Sequence, residues 1–319
     1  MNEYIEVYLE LVKDDKSEGT YAVRKSCLKQ FDEWIETEGY DLGEISALEL
    51  RKYFKKLLDE GCSSTYVVSH YNSVRGLYNL LTSNSIGLRE DHPFDEKLLK
   101  SLHNKHNKRT KKREDGKPIY LSEDDVDILC RYVPKPKLRN RLLFRLMLHT
   151  GVRQSEAARI KLENMNREKR SIEIPTRKIE GEPIRVVSWQ PSLDLLMDRW
   201  IDVERNAYNH ASESPYLFVS ARSDRIIDEY PNDILRKAAK SAEEDGHEYL
   251  NEVLYHDAAG MPRYRYTAHS LRHGCAYHLL KAGTHLRTIQ KYLGHTDVER
   301  TEVYLQLTDD DVLDTVKWG

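Results

Sequence analysis

Residues 103–118 read HNKHNKRTKKREDGKP. This stretch has no apolar side chain to bury, and Gly116-Lys117-Pro118 breaks any helix that enters it. It therefore predicts an interdomain linker over 103–118, between an N-terminal domain, 1–102, and a C-terminal domain, 119–319. The chain length of 319 residues agrees with two domains, at roughly 100–200 residues per domain. Each part is long enough to bury a core without disulfide staples.

The part before the linker reads as helices only. Tyr4, Ile5, Tyr8, Leu9 and Val12 share a stripe at helical spacing over 2–14. Val23, Cys27, Phe31 and Trp34 do the same over 20–38, where Gly39 ends the helix. Ser46-Ala-Leu-Glu49 is a capping box, and Gly61 stops the helix it opens. Apolar spacing over 64–83 gives a fourth helix, and Phe94 to about His103 a short fifth.

The part after the linker is mixed. Ser122-Glu-Asp-Asp125 is a second capping box, opening a helix that stops before Pro134. Residues 139–150 are apolar and helical, with Gly151 suited to the position past the helix end. Ser155 is expected to cap the next short helix, which runs to about Leu162. The period then changes to two: SIEIP (171–175) and PIRVVSW (183–189) predict a hairpin around Ile179–Glu182. Helices are expected at about 192–208, 231–245, 268–282, 285–293, 297–306 and 309–316. The apolar run YLFV (216–219) lies between the first two, and 246–266 reads as an irregular insertion. The fold class expected is mainly α with a single small antiparallel β-sheet, in two domains.

Composition excludes several classes. With 39% hydrophobic and 32% charged residues the chain reads as globular. No apolar run approaches the ~18 residues of a membrane span, so no membrane partner is expected. The acidic, amphipathic N-terminus MNEYIEVYLELVKDD lacks the basic and apolar regions of a signal peptide, which predicts a cytoplasmic protein. Cys27, Cys62, Cys130 and Cys275 are far apart and form no C-x-x-C, so buried thiols are expected.

Net charge is −3, but charge is unevenly placed. Lys97 to Lys117 holds nine Lys/Arg against Glu114 and Asp115, whereas Asp297–Gly319 holds seven acids against Arg300 and Lys317. A basic stripe of this kind binds phosphates even on a slightly acidic protein.

Four segments of the second part carry groups suited to phosphate chemistry. His149-Thr-Gly-Val-Arg-Gln-Ser-Glu156 sets Arg153 between a helix end and a helix start. His269-Ser-Leu-Arg-His273 puts His269 and Arg272 on one helical face, with His273 a turn from His269. Tyr292-Leu-Gly-His295 is followed nine residues later by Tyr304. The hairpin carries Lys178 near its tip. Each alone reads more readily as an ordinary surface or core residue. A metal centre is the rival for the histidines, seven of which (247, 256, 269, 273, 278, 285, 295) fall within fifty residues. No H-E-x-x-H is present and the arginine inside HSLRH repels a cation, so no metal is expected. No Walker A or G-x-G-x-x-G occurs, and no nucleotide cofactor is expected.

In order, TGVRQSE, HSLRH, LGH and the tyrosine nine residues past that histidine resemble the signature of the tyrosine recombinases, or phage integrase family. IYLSEDDVDIL (119–129) is similar to the start of that family's catalytic domain. The resemblance covers about residues 119–306. The N-terminal part matches only in type, as a small helical (SAM-like) core-binding domain. The resemblance implies site-specific cleavage and rejoining of DNA through a covalent 3′-phosphotyrosyl intermediate, without ATP, metal or other cofactor. It implies Tyr304 as nucleophile, Arg153 and Arg272 as the catalytic arginines, His269 and His295 as the motif histidines, Lys178 as the hairpin lysine and His273 as a supporting residue.

One position departs from the pattern. The family's hairpin lysine stands about five residues before a strand arginine; Lys178 stands seven before Arg185. Arg177 remains the alternative, and Glu180 falls where the unexpanded hairpin would place the lysine. The implied partner is double-stranded DNA with an inverted-repeat core site, clamped between the domains. Lys105, Lys108, Arg109, Lys111, Lys112 and Arg113 of the linker would contact its backbone. Self-assembly to a tetramer on DNA from a solution monomer, nucleoid association and an accessory directionality factor belong to the same reading. Val312, Leu313, Val316 and Trp318 give the acidic tail an apolar face, to pack on its own domain or on a neighbouring protomer. Without an extra arm-binding module before the helical domain, the architecture leans towards Xer-like. Relaxation of DNA in the manner of a type IB topoisomerase, and a catalytically silent DNA-binding regulator, are the competing functions.

Overall fold

The structure is a computed structural model and describes residues 1–16, 18–84, 86–94, 119–175, 185–256 and 261–294. They form two compact units.

The first unit is helical. α1 (Glu3–Asp15), α2 (Glu18–Glu38), α3 (Ala47–Asp59) and α4 (Ser64–Leu81) match the four amphipathic patterns in the sequence. The Ser46 capping box is present, with the Ser46 amide donating to Glu49 Oε2 at 2.7 Å. Phe31, Trp34, Tyr53, Phe54, Tyr71 and Tyr78 make an aromatic core, with Phe31 edge-on to Tyr53 at 5.0 Å between ring centroids. Buried hydroxyls need partners: Tyr78 donates to the Leu42 carbonyl at 2.9 Å, and Tyr53 pairs with His70 Nδ1 at 2.7 Å. One expected core residue is misplaced. Val23 is 49% exposed, because Leu28 and Ile35 turn the buried face of α2 towards α4 and away from Val23. The expected fifth helix lies outside the described residues.

The second unit opens with α5 (Glu123–Tyr132), whose Ser122 Oγ accepts from the Asp125 amide at 3.1 Å. α6 (Lys137–Thr150) runs through the core and ends at Gly151, whose φ of +62° reverses the chain. α7 (Gln154–Ala158) follows two residues later. Its cap position is held by Arg153, not Ser155, because the Glu156 carboxylate reaches back to the Arg153 amide at 2.7 Å. A three-stranded antiparallel sheet in the order β1 (Met165–Asn166), β2 (Ser171–Ile174), β3 (Arg185–Ser188) contains the expected hairpin and one short extra strand. Its register pairs Ile174 with Arg185 and Ile172 with Val187, and all four are buried.

Over 192–208 the expected regular helix is irregular. A turn at Pro191–Leu193 leads into α8 (Asp194–Asp198), a π-helical stretch over Arg199–Glu204 and a final tight turn. Trp200 and Arg205 are both buried. Trp200 donates to the Leu217 carbonyl at 2.9 Å, and Arg205 to the carbonyls of Ala211, Ser214 and Tyr216. Residues five apart share a face only if the helix widens to i→i+5 bonding. Leu217, Phe218 and Val219 are buried in the core, with the Leu217 amide donating to the Ile160 carbonyl at 2.8 Å. α9 (Tyr230–Glu243) is amphipathic and buries Ile234, Leu235, Ala238 and Ala239. Within 246–266, expected to be irregular, β4 (Val253–His256) and β5 (Pro262–Tyr264) form a second, two-stranded sheet. Every β4 side chain is exposed, so no apolar alternation marked it in the sequence. α10 (Ala268–Lys281) and α11 (Leu286–Leu293) close the described part; the two helices expected beyond lie outside it. All four cysteines are free and buried. Among the described residues no helix is long and apolar enough to cross a membrane.

Candidate active site

Two helix ends meet in the second unit. The C-terminal end of α6 carries Gly151, and that of α11 carries Leu293 and Gly294. Glycine is required at both. A Cβ on Gly151 would lie 2.5 Å from Leu293 Cδ2, and one on Gly294 2.6 Å from Arg185 Nη1. Both also sit at positive φ, +62° and +68°. Tyr292 pins α11 to the sheet: its hydroxyl accepts from the Ser188 amide and donates to the Ser188 carbonyl, each at 3.0 Å.

Three guanidiniums converge on these ends. Arg272, on α10, is 1% exposed and donates to the carbonyls of Gly151 at 2.7 Å and Leu293 at 2.6 Å. Arg185, on the inner face of β3, donates to the same Leu293 carbonyl at 2.7 Å. Arg153 reaches the Gly294 carbonyl at 3.2 Å and keeps an exposed side. Carbonyls at helix C-termini carry partial negative charge and suit cations. Glu156 sets a carboxylate between two of them, bonded to Arg153 Nη1 at 2.8 Å and Arg185 Nη2 at 2.8 Å. Burial works against its ionisation, but Arg185, the Arg153 amide and Arg153 outweigh that and hold its carboxyl below the usual range. Among the described residues, three guanidiniums face one carboxylate there, a net positive balance.

The His269 ring projects from the first turn of α10, edge to face with His273 at 4.6 Å. Its crowded surroundings, then Arg272 and Arg153, push its pKa below the ordinary imidazole value. A neutral imidazole beside exposed and buried guanidiniums can accept a proton while the cations hold an anion. Beneath the site, the Cys275 thiol lies 3.4 Å from the His149 carbonyl, and burial pushes its pKa up to about 12, which keeps it protonated.

The sequence-predicted Arg153, His269, Arg272 and His273 are thus brought together. Lys178, its alternative Arg177, His295, Tyr304 and the linker cations Lys105, Lys108, Arg109, Lys111, Lys112 and Arg113 lie outside the described residues. Two site residues went unassigned in the sequence: Glu156, quoted only as the end of TGVRQSE, and Arg185, used only as a landmark. The signals were present. Glu156 is three residues past Arg153 at a helix start, and Arg185 alternates with Val187 and Trp189 on the inward side of a strand.

A model of the phage integrase family matches residues 119–311, which include His295 and Tyr304. The chain belongs to the phage integrase family. This integrase-family chain is similar to tyrosine recombinase XerA of Pyrococcus furiosus, 28% identical over 303 residues, covering 90% of this chain and 91% of that protein. Tyrosine recombinase XerD of Vibrio vulnificus is 24% identical, over 94% of this chain and 90% of that protein. Its fold is also that of the Tn1549 transposon integrase in complex with circular intermediate DNA (TM-score 0.67, 15% identity, 94% of each chain). XerH site-specific recombinase bound to a palindromic difH substrate has the same TM-score, 0.67, at 18% identity, covering 98% of this chain and 82% of that one. The mainly helical, two-part architecture expected from the sequence agrees with these folds.

Proposed function

We propose that this integrase-family chain is a site-specific DNA recombinase that cuts and rejoins strands through Tyr304. The observation that carries the reading is the convergence of Arg153, Arg272 and His269, from segments over a hundred residues apart in sequence, on one net-positive site at the Gly294 helix end.

The phenolic oxygen of Tyr304 attacks the scissile phosphorus. A new P–O bond forms to the tyrosine, the bond to the 5′ oxygen breaks, and the 3′ side stays attached to the protein. Negative charge builds on the non-bridging oxygens in the transition state, where Arg153 and Arg272 act. Such preorganised donors are worth about 3 kcal/mol each. A free phenol has a pKa near 10, so the tyrosine must lose its proton as it attacks; His269, held neutral, accepts it. Lys178 delivers a proton to the departing 5′ oxygen, and His295 donates to the phosphate. The phosphotyrosine link conserves the energy of the broken bond, so rejoining needs no nucleotide. Glu156 is bonded to Arg153, and Arg185 shares the Leu293 carbonyl with Arg272, so both act through the catalytic arginines. The DNA partner is a duplex with an inverted-repeat core, held by residues 1–102, 103–118 and 119–319 together. Four protomers assemble on two such sites from solution monomers, with room for an accessory directionality factor.

The test is covalent capture. Wild-type protein and Tyr304→Phe are incubated with fragmented genomic DNA, the mixture is denatured, and DNA that remains attached is sequenced. Adducts at one inverted-repeat sequence, absent with Tyr304→Phe, are expected. Adducts scattered at random would replace this reading with a topoisomerase. DNA binding with no adduct would make the chain a binding protein.

A further inference from the structure

Helix α10 carries His269 on its first turn, and the side-chain oxygens bonded to that turn carry no charge. Among the described residues, four helices begin with the amide of the capping residue donating to a side chain three residues on. At α3 the acceptor is Glu49 Oε2 at 2.7 Å, at α5 Asp125 Oδ2 at 2.9 Å and at α7 Glu156 Oε2 at 2.7 Å. At α10 the Thr267 amide donates instead to Ser270 Oγ at 3.1 Å. A carboxylate suits a helix start, which carries partial positive charge. Of these four, α10 is the one that forgoes it.

A second neutral oxygen reaches the same turn from α9. Asn232 Oδ1 accepts from the Ala268 amide at 2.8 Å. Ala268 is the first residue of α10 and the neighbour of His269. One turn further along α9, Arg236 donates to the Tyr266 carbonyl and lies over the Tyr264 ring, 4.2 Å from its centroid. Helix α9 thus grips residues 264, 266 and 268 and fixes where α10 begins. An aspartate at 232 has nearly the same shape and would accept the same bond, but with a negative charge.

The charged and titratable groups facing the His269 ring are Arg272 and His273 on its own helix and Arg153 ahead of α7. The other elements packed on α10 direct theirs elsewhere. The His149 ring of α6 accepts from the Gln190 amide, and Tyr120 stacks on Tyr277. Asp233 and Lys237 of α9 and Arg287 and Lys291 of α11 are exposed. An imidazole acts as a base only while neutral, and a negative charge nearby favours its protonated form.

We propose that Asn232 is a positioning residue for His269: from the neighbouring helix it holds the first amide of α10 with a neutral oxygen, fixing the turn that bears the imidazole without setting a carboxylate beside it. Its consequence for rate rests on the reading of His269 as the proton acceptor for Tyr304. Its effect on the ring does not.

The experiment uses the full chain, wild type against Asn232→Asp and Asn232→Ala. His269 is titrated by NMR without DNA, its signal assigned with His269→Gln. In Asn232→Asp the ring is expected to titrate about one unit higher than in the wild type. The melting temperature of that variant should not fall, since a carboxylate suits a helix start. With the DNA recovered by covalent capture, the acid limb of adduct formation should move up by the same amount. The variant is then up to about tenfold slower on that limb and equal to the wild type above about pH 8. Asn232→Ala removes the bond and adds no charge. It should melt lower, leave the ring titrating no higher than in the wild type, and slow adduct formation by a factor that does not vary with pH. An unchanged His269 titration in Asn232→Asp would overturn the proposal, as would a loss of rate in that variant that is the same at every pH. If the wild type forms no adduct, the recombinase reading fails, while the titration still decides whether Asn232 governs the ring.

Discussion

Glu156 is a partly buried carboxylate between two guanidiniums, and removing it strands a buried cation. Arg185 keeps only 5% of its side chain exposed. Glu156→Ala is therefore expected to destabilise the second unit by about 3–5 kcal/mol, the cost of breaking a buried pair, measured by urea unfolding. The pH dependence has a definite sign. The Glu156 carboxyl is held below its ordinary range in the folded state, so its contribution is complete above the unfolded value, about 4.3. It is lost as pH falls through the lower folded value. The gap in unfolding midpoint between wild type and Glu156→Gln should be constant from pH 7 down to about 5 and close below about pH 4. His269 shifts downward because its surroundings are crowded and Arg272 and Arg153 lie near. An NMR titration should find it titrating below about 6.5. Arg153→Gln should raise that value; an unchanged value would show that Arg153 does not act on the ring.

At the scale of elements, helix ends organise the site. Gly151 and Gly39 both have positive φ, +62° and +70°, but only Gly151 has neighbours within 4 Å of an added Cβ. Gly39→Ala should cost about 1 kcal/mol, the left-handed backbone term alone. Gly151→Ala adds overpacking against Leu293 and Cys275 and should cost about 3 kcal/mol. It also displaces the Gly151 carbonyl that holds Arg272, so DNA cleavage should fall further than stability accounts for. Equal costs at the two glycines would show that α6 and α11 do not meet as tightly as described. The helices themselves were legible because periodicity and caps are local: Ser46 and Ser122 cap as the sequence predicts. Trp200 and Arg205 were not legible as inward-facing partners, since the widened helix that unites them answers to carbonyls near 211–217.

For the whole molecule, the relevant quantity is charge placement, since net charge is only −3. If Lys105, Lys108, Arg109, Lys111, Lys112 and Arg113 all meet phosphates, replacing all six by glutamine should flatten the slope of log K against log salt by about 5. The variant should fold as the wild type does, because the run has no apolar residue for either core. A slope that does not change would remove these residues from the DNA interface.

The sequence by itself determined the helical periodicity, the capped starts, the hairpin and the order of the Arg, His-x-x-Arg-His and Gly-His segments. Each depends on residues within a turn or two of one another, or on chemistry that only certain side chains carry. Tertiary structure alone decided which groups support that chemistry. Arg185 and Arg272 share one carbonyl at Leu293 although 87 residues of chain, the difference of their numbers, separate them. Arg153 and Arg185 likewise share Glu156. Buried charges must find partners wherever the packed core offers them, and those partners come from segments that no local pattern connects.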